Sequence, residues 1–182
     1  MMIMLKRAKE QEPVSQTRTP PVILIVDDDW MIREIIQAHL ENAGYTVLTA
    51  HSGEKALEVA PRHPPDLVIL DLRLQGIGGH EVCARLKADP ITRDTAVLIT
   101  TALDDDASRL QAVEAGADDF LPKPFDALVM LTRVKSLLRI KNLLDERSQL
   151  QQRLEAVLTR HVDAETARHI LDELDTQPVR SS

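Results

Sequence analysis

The sequence predicts an α/β domain built on a doubly wound, five-stranded parallel sheet, followed by a C-terminal long helix or coiled coil. Three observations carry that reading. Five short apolar runs, mostly continuous and rich in β-branched residues, recur from Val22 to Leu121. Segments of helical period separate them. From Asp126 to about Leu174 the chain contains neither Gly nor Pro and is rich in Leu, Arg, Lys, Glu and Gln.

Taken in order, residues 1–21 mix charges with Pro13, Pro20 and Pro21 without a sustained period, and read as a disordered leader. The opening Met1-Met2-Ile3-Met4-Leu5 is too short for a signal-peptide core and meets Lys6 and Arg7 at once. The first strand is Val22 to Val26. Met31, Ile35, Ile36 and Leu40 then fit a helix stopping at Asn42-Ala43-Gly44. Thr46 to Ala50 is the second strand, and Ser52 offers an N-cap to a helix carrying Ala56, Leu57, Val59 and Ala60. Leu67 to Leu70, Ala96 to Thr100, and Phe120-Leu121 supply the remaining strands, with Gly116 placed where a helix should end. Strict alternation of strand and helix implies right-handed crossovers in one sheet spanning residues 22–134. The ligand site of such a sheet lies at the carboxyl ends of its strands.

Beyond it, Ile140, Leu143, Leu150, Leu154 and Val157 follow a three-four spacing interrupted by Arg147, the seam of a coiled-coil connector over 135–162. A homodimer through that helix is expected; the ordinary alternative is a surface helix packed on its own domain. Asp163 can cap a further short helix ending near Leu174, and residues from Thr176 fray, closing a segment of 163–182.

Composition narrows the function. An aromatic content of 2% within 43% hydrophobic residues demands an aliphatic core and disfavours stacking on nucleobases. The formal net charge is −7, and Val22 to Phe125 holds 18 acidic against 9 basic residues, a surface that repels phosphate backbones and welcomes a divalent cation. Asp126 to Ser182 has nine of each sign and no helix-turn-helix pattern, so no direct nucleic acid contact is expected. Cys83, the single cysteine, permits neither an intramolecular disulfide nor a cysteine zinc cluster, and reads as a small buried helix residue in a reducing compartment. No apolar run approaches the roughly 18 residues that span a bilayer. The expected location is cytoplasmic, away from the membrane.

The chemistry gathers at the strand ends. The first strand runs into Asp27-Asp28-Asp29, the third into Asp71, the fourth into Thr100-Thr101 and the fifth into Pro122-Lys123-Pro124. Single acids there serve as turn formers or helix caps, but turn chemistry does not require matched groups at four strand ends. Three carboxylates in one cleft raise one another's pKa unless a cation is present, and a hard ion such as Mg²⁺ relieves this. A carboxylate can then act as nucleophile toward a phosphoryl group, with charge held by metal, ammonium and hydroxyl, the last two from Lys123 and Thr101.

These residues resemble the receiver domain of bacterial two-component response regulators over about Pro21 to Val134. The resemblance rests on Ile25-Val26-Asp27-Asp28-Asp29, Leu70-Asp71-Leu72-Arg73, Thr101-Ala102 and Lys123-Pro124-Phe125, in order and at the family's usual separations. It implies the flavodoxin-like receiver fold and a phosphorylation switch fed by a histidine kinase or phosphotransfer protein. It also implies Asp71 as phosphoacceptor, and Mg²⁺ held by Asp27, Asp28, Asp71 and the backbone carbonyl of Arg73, with Asp28 touching the metal directly. Asp29 falls outside the pair and reads as a helix cap. A cis bond before Pro124 is implied, which would aim Lys123 at the phosphoryl oxygens. Thr101 matches the switch hydroxyl and Phe120 the switch aromatic, so that phosphorylation alters the face made by the fourth helix, fifth strand and fifth helix. Phe120 as a plain core residue is the alternative.

The pattern departs from the family after Asp71, where Leu74-Gln75-Gly76-Ile77-Gly78-Gly79 lacks the usual proline and acid and reads as a flexible loop. Trp30, beside the acidic run, reads as a fluorescence reporter of metal binding or a helix-start packing residue. Leu137 to Leu144 resembles connectors between receivers and nucleotide-cyclase outputs, and Arg160 to Leu171 the lead-in to class III cyclase domains, although no cyclase follows. His161 and His169 read as helix-face residues without carboxylate partners. A haloacid-dehalogenase phosphatase would need an acid two residues after the nucleophile, where Arg73 stands. The expected activity is therefore that of a non-enzyme catalysing only its own phosphoryl transfer and dephosphorylation. An unphosphorylated structural dimerisation module, or the upstream part of a receiver-cyclase protein, is the alternative.

Overall fold

Continuous β-branched runs can satisfy both faces of a strand only inside a sheet covered by helices on each side. The computed structural model describes residues 19–102 and 106–161. In chain order these form β1 (Val22–Val26), α1 (Trp30–Asn42), β2 (Thr46–Ala50), α2 (Gly53–Val59) and β3 (Leu67–Asp71). There follow α3 (Gly79–Ala88), β4 (Ala96–Ala102), α4 (Asp106–Glu114), β5 (Asp119–Lys123) and α5 (Ala127–His161). The sheet is parallel, with strand order β2-β1-β3-β4-β5. That is the flavodoxin-like order, whose reversal between β1 and β3 opens a crevice at the strand C-termini.

Alternation along each strand divides the aliphatic core in two. Leu24, Val26, Val68, Leu70, Val97 and Ile99 face one side and pack with Ala56 of α2 and its C-cap Ala60, Val82, Cys83 and Leu86 of α3, and Ala112 of α4. Ile23, Ile25, Leu67, Ile69, Leu98 and Leu121 face the other and meet Ile36 and Leu40 of α1 and Met130, Val134, Leu137 and Leu138 of α5. Of the four apolar residues that mark α1 in the sequence, Ile36 and Leu40 are buried, whereas Met31 and Ile35 are exposed. The reason is the i, i+4 row through Ile32, Ile36 and Leu40, the one α1 turns to the sheet.

The expected caps form. Asp29 Oδ1 accepts the backbone N–H groups of Met31 at 2.8 Å and Ile32 at 3.4 Å, and Ser52 Oγ accepts that of Lys55 at 3.2 Å. At the end of α1, Gly44 adopts φ +89°, its N–H donating to Glu41 O at 3.0 Å and that of Tyr45 to Leu40 O at 3.1 Å. This doubly bonded C-terminus needs a left-handed residue, which glycine adopts without a Cβ penalty, and Gly116 ends α4 the same way.

α5 is one continuous helix through His161. Among its residues whose burial is described, the last buried one is Leu138; Ile140, Leu143, Leu150, Leu154 and Val157 are exposed. The seam residues thus leave about half or more of their surface uncovered in this single chain. The leader to Arg18, the Asp163 cap and His169 lie outside the described residues, as does the His161 side chain.

Candidate functional site

Three of the five strands each deliver a charged group to the same edge of the sheet. Asp27 directly follows β1, Asp71 is the last residue of β3, and Lys123 is the last of β5. Asp27 and Asp71 are buried, and Asp28 is exposed beside them. Ligand oxygens of these three carboxylates lie within 4.8 Å of one another. The Lys123 ammonium bridges two of them, 2.8 Å from Asp27 Oδ2 and 3.1 Å from Asp71 Oδ2. Backbone donors hold the other oxygens: the N–H of Asp29 reaches Asp27 Oδ1 at 2.9 Å, and that of Arg73 reaches Asp71 Oδ1 at 3.4 Å. The Lys123-Pro124 peptide is cis.

Thr101 and Phe120 lie beside this cleft, on β4 and β5. Register pairs Asp71 with Thr100 and Ile99 with Phe120, so Thr101 and Phe120 share the side covered by α2, α3 and α4. Thr101 is buried and its hydroxyl donates to the Ala102 carbonyl at 3.2 Å; Phe120 is half-buried against the core.

Burial raises the Asp71 carboxyl above its ordinary range, and the charge and hydrogen bond of Lys123 offset only part of that. For Lys123 the balance goes the other way. Burial opposes the ammonium, but the Asp27 hydrogen bond and the charges of Asp71 and Asp27 outweigh it and hold its pKa above the usual lysine value. The lysine is thus a fixed cation between two carboxylates. An all-oxygen, anionic donor set of this size fits a hard divalent cation such as Mg²⁺.

A family model described as the response regulator receiver domain matches residues 23–135. The chain belongs to that family. This receiver is 44% identical over 124 residues to the response regulator PleD of Caulobacter vibrioides, covering 68% of this chain and 27% of that protein. It is 46% identical over 119 residues to the DNA-binding dual master transcriptional regulator RpaA of Synechocystis, covering 65% and 49%. A crystal structure of a putative response regulator from Chloroflexus aurantiacus superposes with a TM-score of 0.63 at 40% identity, covering 66% of this chain and 98% of that one. The chain thus spans from about a quarter to a half of the curated relatives named here.

In this receiver one glycine of the loop after Asp71 serves contact with the neighbouring backbone. A Cβ on Gly79 would lie 2.3 Å from the Asp71 carbonyl oxygen and 2.8 Å from Leu72 Cα. Gly79 therefore answers a close backbone approach, closed by its N–H donating to Leu72 O at 3.0 Å. Sequence reasoning also missed two supports. Arg33 Nη1 donates to the Asp27 carbonyl at 2.6 Å, from the first turn of α1. Glu54 Oε1 accepts the Ile77 N–H at 3.2 Å, from the first turn of α2. An acid at that place reads as a partner of the helix dipole, and nothing local signals its reach across 23 residues.

Among the described residues no helix is long and apolar enough to cross a membrane.

Proposed function

We propose that this receiver is the phosphorylation switch of a two-component pathway, accepting a phosphoryl group on Asp71 from a histidine kinase or phosphotransfer protein in the cytoplasm. The observation that carries the reading is the Lys123 ammonium seated between Asp27 and Asp71 at the end of a buried sheet. Asp27, Asp28, Asp71 and the Arg73 carbonyl would hold Mg²⁺, which when bound supplies positive charge against the phosphoryl oxygens. An Asp71 oxygen attacks phosphorus in line, the bond from phosphorus to the donor nitrogen breaks, and its electron pair leaves with the donor imidazole. Lys123 then turns from the carboxylate to the new phosphoryl oxygens. Thr101 exchanges its 3.2 Å bond to the Ala102 carbonyl for one to the phosphoryl group, and Phe120, on the same face, follows.

The changed face is that of α4, β5 and α5. From there the signal passes along α5, whose exposed Ile140, Leu143, Leu150, Leu154 and Val157 suit a two-stranded coil with a second copy. The role is regulatory rather than catalytic, and an output beyond this chain, including a cyclase of the kind its connector resembles, fits the fraction of its relatives that it spans. The exposed seam favours one further reading, a structural dimerisation module that is never phosphorylated.

Intact mass after incubation with acetyl phosphate separates the two. A gain of one phosphoryl group that requires Mg²⁺ and is lost in Asp71→Asn supports the switch. No gain in folded wild-type protein refutes it.

A further inference from the structure

The loop from Leu72 to Gly78 carries Arg73, the proposed carbonyl ligand, and must keep one course for that carbonyl to face the acidic cleft. The α3 helix it leads into starts at Gly78 with no side-chain cap. The loop takes its support from α2 instead. The Glu54 carboxylate accepts the Ile77 N–H at 3.2 Å, and a Cβ on Gly76, which has φ +84°, would lie 2.5 Å from the same oxygen. One residue earlier, Gly53 lets α2 approach so closely that a Cβ there would stand 2.6 Å from both Ile77 Cγ1 and Val82 Cγ2. Ile77 itself packs on the core beneath α2 and α3. Glu54 is committed to this geometry: hydrogen bonds from its own backbone N–H and that of Ile77 hold its carboxyl below the ordinary range, with Ser52 contributing.

We propose that Glu54 is a positioning residue for the phosphorylation site, a strap from α2 that fixes the β3–α3 loop and with it the Arg73 carbonyl that completes the cation site. This rests on the reading of Asp71 and its acidic neighbours as a Mg²⁺-dependent phosphoacceptor site. Glu54 touches neither cation nor phosphoryl group. It acts through the Ile77 N–H at one end of a loop whose other end is the acceptor itself. The device supplies from another helix the restraint that a proline and an acid inside the loop would otherwise give.

The test uses the full chain, with Mg²⁺ alone titrated by calorimetry and the lifetime of the acetyl-phosphate adduct followed by intact mass. Glu54→Ala should weaken Mg²⁺ binding about threefold to tenfold, the span of one hydrogen bond's contribution, and change the adduct lifetime. Glu54→Gln keeps an acceptor oxygen and should restore both to within about twofold of wild type. Melting without metal provides the structural control. If Glu54→Ala melts earlier yet binds Mg²⁺ and holds phosphate as wild type does, Glu54 only braces α2 and the strap is refuted. A Glu54→Gln variant as impaired as Glu54→Ala also refutes it. Absence of Mg²⁺ binding in wild type would instead overturn the functional reading and the strap with it.

Discussion

Replacing Gly79 with Ala tests whether the loop beside Asp71 is flexible or tightly built. Gly79 opens α3, where Ala is favoured over Gly by up to about 1 kcal/mol. Were the loop free to adjust, the substitution would stabilise. The added Cβ, however, would stand 2.3 Å from Asp71 O, 2.8 Å from Leu72 Cα and 3.1 Å from Asp71 C. All three are backbone atoms, so no rotamer change relieves the overlap. Overpacking of this kind costs about 1–3 kcal/mol, and with main chain as the obstacle the upper end applies. Subtracting the helix gain leaves a net loss of about 2 kcal/mol. In urea, with a slope of roughly 1–3 kcal/mol per M, the midpoint should fall by about 1 M. Because the displaced atoms belong to Asp71, the acetyl-phosphate adduct should also form more slowly. Gly78→Ser is the matched control, since Gly78 stands at the N-cap with φ −69° and ψ 157° and its new Cβ would meet only the movable His80 ring. It adds a missing cap and should be neutral or stabilising by up to about 1 kcal/mol. A Gly79→Ala protein as stable as wild type would refute the close-approach argument.

Three further outcomes follow from the same structure. Lys123→Met leaves Asp27 and Asp71 facing each other without their cation; allowing for the part-exposed lysine, metal-free stability should fall by about 1–3 kcal/mol, and Mg²⁺ should raise the melting temperature more in the variant than in wild type. Equal metal-induced shifts would count against Lys123 as the internal counter-ion. Leu150→Asp, at a seam position 71% exposed, should leave receiver melting unchanged and convert a dimer to a monomer in sedimentation; an unchanged mass excludes the seam. Cys83, fully buried, has its thiol pushed up to about 11 by burial. The folded state therefore keeps a proton that the unfolded thiol, near 9.0, gives up, so stability is lost as pH rises from about 9 to 11. The loss amounts to about 3 kcal/mol at most. Denaturation of wild type and Cys83→Ala across that range should show a steeper fall in wild type, and parallel curves would refute the assignment.

What was legible in the sequence was what repeats or stands at an element's end. Val22 to Val26 and Leu67 to Leu70 announce strands because burial on both faces leaves no polar residue in the run. Asp27, Asp71 and Lys123 were found together because parallel strands bring their C-termini to one edge, so the topology supplied a proximity that spacing alone does not. Other supports were invisible for the converse reason. Asp66 accepts the Val22 N–H at 2.8 Å, and Asp118 accepts the Val97 N–H at 2.7 Å while binding Lys87 at the same carboxylate oxygen. Each joins a side chain to a distant backbone group, and no period encodes such a pair. Gly79 was ambiguous because glycine serves both freedom and close approach, and only the neighbouring Asp71 and Leu72 atoms distinguish them.

In the proposed switch, Lys123 is the residue that would link the acidic cleft to α5. β5 ends at this lysine and α5 begins four residues later, so any movement that draws Lys123 from Asp27 and Asp71 acts on a short connector. A second tie limits where that movement can go, because Arg133 Nη1 donates to Asp119 Oδ2 at 2.6 Å and clamps the start of β5 to the second turn of α5. Met130, Val134, Leu137 and Leu138 bind the first half of the helix into the core, and a close-packed core moves as a body rather than bending. Under the proposed switch, a shift at Lys123 would be passed to the exposed half of α5 as a change of its direction or rotation. On this reasoning Arg133→Ala should leave phosphorylation of Asp71 intact while weakening the response of the seam. Dimerisation measured with and without acetyl phosphate should then differ less in the variant than in wild type, and an undiminished difference would exclude the Asp119–Arg133 pair from the path.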